Sequence, residues 1–126
     1  MYRKGRPKFK LEAVQIIQQQ EFSWLAFYME EQVGYFRYIQ VKGKVWLSEC
    51  AINDGYTRKG LGSKMIQKAI EKYGAVYFYS LERAALIAQG NGKYDSRYLT
   101  EEGLALVKSL IRKGIIPKEW HTIPDK

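Results

Sequence analysis

The chain has 126 residues, 46% of them hydrophobic, and its 21 lysines and arginines against 13 acidic residues give a net charge of +8. One cysteine, Cys50, and one histidine, His121, argue against an internal disulfide, a structural zinc site and Ser-His-Asp hydrolysis. No apolar run nears the roughly 20 residues of a membrane-spanning helix, and no apolar signal segment follows the basic start, so one soluble cytoplasmic domain over residues 1–126 is expected.

Five of the first ten residues are basic (Arg3, Lys4, Arg6, Lys8, Lys10), broken by Gly5 and Pro7. Residues 1–8 therefore read as a basic tail, either solvated or an arm for polyanions. "KLEAVQIIQQQ" (10–20) fits a short helix or an alternating strand, and its Ala, Glu and Gln favour the helix. "FSWLAFYM", "VGYFRYIQV" and "KVWLSECAI" are aromatic and β-branched runs separated by short polar breaks, the pattern of an antiparallel meander. The first is apolar at both alternating sets of positions, which predicts a sheet covered on both faces.

After Ile52 the period lengthens. Leu61, Met65, Ile66, Ala69, Ile70 and Tyr73 share one side of a helix that Gly74 stops, and "AVYFYS" (75–80) reads as a strand. Strand, glycine-containing turn, helix and strand make a βαβ unit with parallel strands. "LERAALIAQ" (81–89) predicts a further helix. Thr100 caps a last one, striped by Leu104, Leu106, Val107, Leu110 and Ile111 and ended by Gly114 and Pro117. The expected class is α/β, with a mixed, mainly antiparallel sheet flanked by helices.

The turn "GYTRKGLGSK" carries the chemistry. The first N–H groups of a helix lack intrahelical partners and sit at the positive end of its dipole, so they attract anions. Gly60 and Gly62 remove side-chain bulk there, while Arg58, Lys59 and Lys64 add charge. A Walker A loop would need lysine and a hydroxyl where Leu61 and Gly62 stand, and a dinucleotide fingerprint would need glycine at Met65. Both phosphate loops are excluded.

"AINDGYTRKGLGSKMI" resembles the acetyl-CoA-binding motif of the GNAT superfamily of N-acetyltransferases. Ile52 takes the valine place of its V-x-P-x-Y-like segment, Tyr56 the aromatic place, and "TRKGLG" the R/Q-x-x-G-x-G/A loop. The resemblance implies that Thr57, Arg58, Lys59, Gly60, Leu61, Gly62, Ser63 and Lys64 surround the coenzyme A pyrophosphate, with pantetheine beside Cys50, Ala51 and Ile52. It implies attack of an acceptor amine on the acetyl thioester, with backbone donors for the oxyanion and a base for the amine proton.

The chain departs from the pattern at the catalytic groups. Thr57 stands at the usual Arg or Gln, Asp54 at the proline, Trp46 at the fourth-strand glutamate, and Ala88 at the tyrosine that often protonates the thiolate. Glu49, three residues beyond Trp46 and so expected on the opposite face, is the candidate base, with Tyr79 and Tyr94 as candidate acids. Cys50 reads as a small apolar residue. The net charge of +8 favours an acceptor amine on a protein over a polyamine. A GNAT-like protein that binds coenzyme A without catalysis, and a nucleic-acid module using the tail and loop, are the alternative readings.

Overall fold

Alternating apolar residues and two-residue turns set the first half of the chain. In a computed structural model, which describes residues 9–80, 97 and 99–122, strands β1 (Gln15–Gln20), β2 (Ser23–Tyr28), β3 (Glu31–Val41) and β4 (Lys44–Ile52) form an antiparallel sheet in that order. The last two hairpins turn on Met29–Glu30 (φ 51° and 68°) and Lys42–Gly43 (φ 53° and 81°). Such left-handed pairs match the twist of the flanking strands.

The helical reading of residues 10–20 is corrected. Only Leu11–Ala13 coil, as a single 3-10 turn, and Gln15–Gln20 is an edge strand. Helix propensities differ by only a few tenths of a kcal/mol per residue. They yield here to a ladder with β2 and to the alternate burial of Val14 and Ile16.

One sheet face packs under helix α1 (Leu61–Tyr73). Trp24, Ala26, Phe36, Tyr38 and Leu47 are buried there against Leu61, Met65, Ile66 and Ala69. Burying a side chain of that kind contributes about 1.5–3 kcal/mol. A β-carbon on Gly34 would lie 3.2 Å from Met65 Sδ and 3.3 Å from Ala26 Cβ, so the bare glycine lets α1 settle on the sheet. At the far end, Trp24 Nε1 donates to the Tyr73 hydroxyl (2.9 Å), which donates to the Glu21 carbonyl (2.6 Å).

The opposite face is less covered than its composition predicts. Leu25, Phe27 and Tyr35 are half-buried there, and Ile17 and Ile39 stay 46% and 37% exposed. Two-residue hairpin turns leave no inter-strand segment long enough to cross that face.

After Gly74, Tyr77 makes one parallel bridge to Trp46. The Leu47 N–H donates to the Tyr77 carbonyl (3.0 Å) and the Tyr77 N–H to the Val45 carbonyl (2.8 Å). The strand expected over residues 75–80 is shorter: β5 (Phe78–Tyr79) pairs in parallel with β6 (His121–Thr122), outside the antiparallel four-stranded sheet. The helix expected over residues 81–89 lies outside the described residues. Helix α2 (Glu101–Arg112) begins as read, with the Gly103 N–H donating to Thr100 Oγ1 at 3.1 Å. Glu101 and Glu102 in its first turn complement the dipole.

Candidate functional site

Among the described residues, three features meet beyond the bridge at Trp46: a bulge in β4, the strand edge that follows it without a pairing partner, and the start of α1, which no side chain caps. Arg37 pairs with Glu49 and Tyr38 with Leu47, which leaves Ser48 as an extra residue in β4. A bulge of this kind shifts the phase of side chains along the strand. Leu47 therefore faces α1 before it, and Cys50 and Ile52 face the same core after it.

The phase shift corrects the expected placement of Glu49. It shares the outer face with Trp46, because their cross-strand partners Arg37 and Ile39 stand two residues apart on β3. Arg37 Nη1 lies 3.5 Å from Glu49 Oε1, and both side chains are more than half exposed. A solvated pair of this kind adds at most about 1 kcal/mol. The pair sits at the rim of a cleft that Glu49 lines.

That cleft, of about 150 Å³, runs along β4 from Leu47 to Ala51 and is walled by Tyr35 and by Leu99, Thr100 and Gly103. Its volume suits one end of a ligand rather than a whole cofactor, since drug-sized sites span about 300–1,000 Å³. Gly103 brings α2 close: a β-carbon there would sit 3.5 Å from Cys50 Sγ. Burial first, and then Glu102, push the Cys50 thiol up to about 11. Cys50 is therefore a protonated wall at neutral pH and not a nucleophile.

Past Ile52 the chain turns on local bonds. The Asn53 N–H donates to the Val33 carbonyl, its Nδ2 to the Gln32 carbonyl, and the Tyr56 N–H to the Asn53 carbonyl. Gly55 (φ 93°), Arg58 (φ 59°) and Gly60 (φ 87°) take the left-handed conformation. Gly60 is the N-cap of α1, no side chain among the described residues caps the helix, and its first turn holds no acidic residue. The Lys64 N–H makes the first intrahelical bond, to the Gly60 carbonyl at 3.0 Å. The amides of Leu61, Gly62 and Ser63 precede it and have no acceptor within the helix.

The side chains around those amides divide into two groups. Arg58 and Lys59 are exposed and Thr57 is half-buried. The Lys64 ammonium instead donates to the Leu11 carbonyl (2.9 Å) and the Val14 carbonyl (3.2 Å), tying the N-terminal turn to α1. The two loop glycines make room for protein: a β-carbon on Gly60 would lie 3.1 Å from Leu11 Cδ2, and one on Gly62 would lie 3.0 Å from Leu106 Cδ1. Gly62 is thus a helix-packing residue.

Of the candidate acids, Tyr79 is buried. Its ring centroid lies 6.3 Å from that of Trp46, and the Arg97 guanidinium sits 5.1 Å from the Trp46 ring and 5.6 Å from the Tyr79 ring. Tyr94 lies outside the described residues. The structure brings Glu49, Cys50 and Ala51 together at the cleft, and Thr57 to Ser63 at the helix start. Sequence reading missed Arg37, Ser48, Leu99, Thr100 and Gly103 as neighbours of that cleft. Only the small Gly103, in the first turn of a capped helix, carried any signal.

A family model described as the acetyltransferase (GNAT) family matches residues 2–92, more than half of the chain. The chain belongs to the acetyltransferase (GNAT) family. Its members transfer an acetyl group to an amine and generally use acetyl-CoA as donor. No curated protein and no solved structure matches the chain. Among the described residues, no helix is long and apolar enough to cross a membrane.

Proposed function

We infer that the chain is an acetyl-CoA-dependent N-acetyltransferase, with its pyrophosphate site on the amides of Leu61, Gly62 and Ser63. The observation that carries this reading is the uncapped N-terminus of α1, free of acidic residues in its first turn and placed directly after β4. Three convergent amides and a helix dipole fit a pyrophosphate. Arg58 and Lys59 add exposed charge beside them. The parallel bridge from Trp46 to Tyr77 supports a βαβ unit around this loop.

Pantetheine would lie along Cys50, Ala51 and Ile52, and the thioester at the cleft beside Ser48 and Glu49. Bound there, acetyl-CoA supplies an activated acyl carbon. Backbone N–H groups at the open β4 edge stabilise the charge that develops on the carbonyl oxygen. Glu49, steadied by Arg37, accepts the amine proton directly or through one water. The acceptor is an amine on a protein rather than a polyamine, because a chain of net charge +8 repels small polycations.

A titration with acetyl-CoA tests the binding site. Reversing both exposed charges, with Arg58→Glu and Lys59→Glu, should weaken binding by about tenfold or more at low salt, given unit charges a few ångströms from a phosphate. Unchanged affinity would place the anion elsewhere.

A further inference from the structure

Lys64 stands in the first turn of α1, just after the amides of Leu61, Gly62 and Ser63, where a lysine could serve a bound anion directly. Two of its three N–H donors go elsewhere, to the Leu11 carbonyl at 2.9 Å and the Val14 carbonyl at 3.2 Å. The segment it grips, residues 9–14, is itself fastened to the sheet. Val14 is buried in the core, the Lys10 N–H donates to the Tyr28 hydroxyl at 3.2 Å, and the Phe9 ring centroid lies 4.8 Å from that of Tyr28.

The same segment touches the loop before α1 at both ends. At the loop's start, the Phe9 ring centroid is 5.6 Å from that of Tyr56. At its end, Leu11 Cδ2 would lie 3.1 Å from a β-carbon on Gly60, the left-handed N-cap (φ 87°) from which α1 departs. The Lys64 N–H bonds the Gly60 carbonyl while its ammonium bonds the segment, so segment, loop and helix start form one unit. Without that clamp, a glycine at positive φ opens many other conformations to the loop. A loop that is competent in only a fraction of molecules binds with its affinity lowered by that fraction.

We propose that Lys64 is a positioning residue of the cofactor site. Through the Leu11 and Val14 carbonyls it holds residues 9–14 against Tyr56 and Gly60, and so keeps the amides of Leu61, Gly62 and Ser63 converged on the pyrophosphate. Its contribution is the order of the loop rather than a phosphate contact. The inference rests on the cofactor reading of the loop.

The test is calorimetric titration of coenzyme A into the unaltered full chain, Lys64→Met and Leu11→Ala, at low salt and at roughly 1 M salt, where the Debye length is ~3 Å. Lys64→Met should weaken binding about tenfold, and Leu11→Ala, which removes no charge, about fivefold, as the competent fraction of loops falls. Both losses should persist at high salt. A Lys64→Met loss that disappears at high salt would assign the lysine to direct phosphate charge and overturn the proposal. Leu11→Ala binding as tightly as the unaltered chain would overturn it too, and this variant decides the matter if Lys64→Met does not fold. Thermal melts of the same proteins separate a merely structural anchor: a lower melting temperature with unchanged affinity is the third contrary result. If the unaltered chain binds no coenzyme A, the cofactor reading itself fails, an outcome distinct from any change among the variants.

Discussion

Glu49 and Cys50 are adjacent in β4 yet have opposite chemistry, because the bulge at Ser48 sends one outward and the other against α2. The outward carboxylate is accessible to an amine or a water. Glu49→Gln should lower turnover by about a hundredfold, within the usual span for a lost general base, while acetyl-CoA affinity stays within twofold. An equal loss of both would make Glu49 a structural residue.

The inward thiol has a pH consequence. Its folded value of about 11 exceeds the ordinary 9.0, so above pH 9 the unfolded chain loses this proton first. Stability from this group is intact below pH 9 and declines as pH rises towards 11. Denaturant melts at pH 8 and pH 10.5 should show a drop that Cys50→Ala reduces. A drop of the same size in Cys50→Ala would assign the loss to other groups.

At the scale of elements, the β2–β3 hairpin is built against local preference. Met29 and Glu30 both hold positive φ, and Met29 is 69% exposed at the tip. Asn-Gly adopts that pair with less strain, so Met29→Asn with Glu30→Gly should stabilise the fold by about 1 kcal/mol in urea unfolding. No gain would mean that neighbouring contacts already compensate the strain.

The elements that sequence made legible are those whose signals are local. The meander follows from alternating aromatics and short breaks. The α1 stripe, the Gly74 stop and the Thr100 cap follow from spacing and from single residues. The β1 strand was not legible because "QIIQQQ" satisfies both periods and only pairing with β2 decides. The bulge, the Arg37–Glu49 pair and the Lys64 anchor depend on register and tertiary approach, which one sequence does not encode visibly. Gly62 shows the same limit: its spacing matches a phosphate loop, whereas its missing β-carbon accommodates Leu106.

For the whole molecule, family membership and geometry divide the work. The match over residues 2–92 places the chain in a family whose members are acetyltransferases. On the proposed reading, the uncapped α1 start, the free edge of β4 among the described residues and the cleft walled by α2 would take successive parts of the donor. From Ser48 through Ile52 to Leu61–Ser63 these places follow the chain from thioester to pyrophosphate, so one bound molecule should touch all of them.

Amide chemical shifts during an acetyl-CoA titration test that arrangement most directly. The largest changes are expected at the N–H groups of Leu61, Gly62 and Ser63, with a second set at Ser48 to Ile52, all saturating with one affinity. Shifts confined to other elements, or a β4 set that saturates without the α1 set, would contradict it.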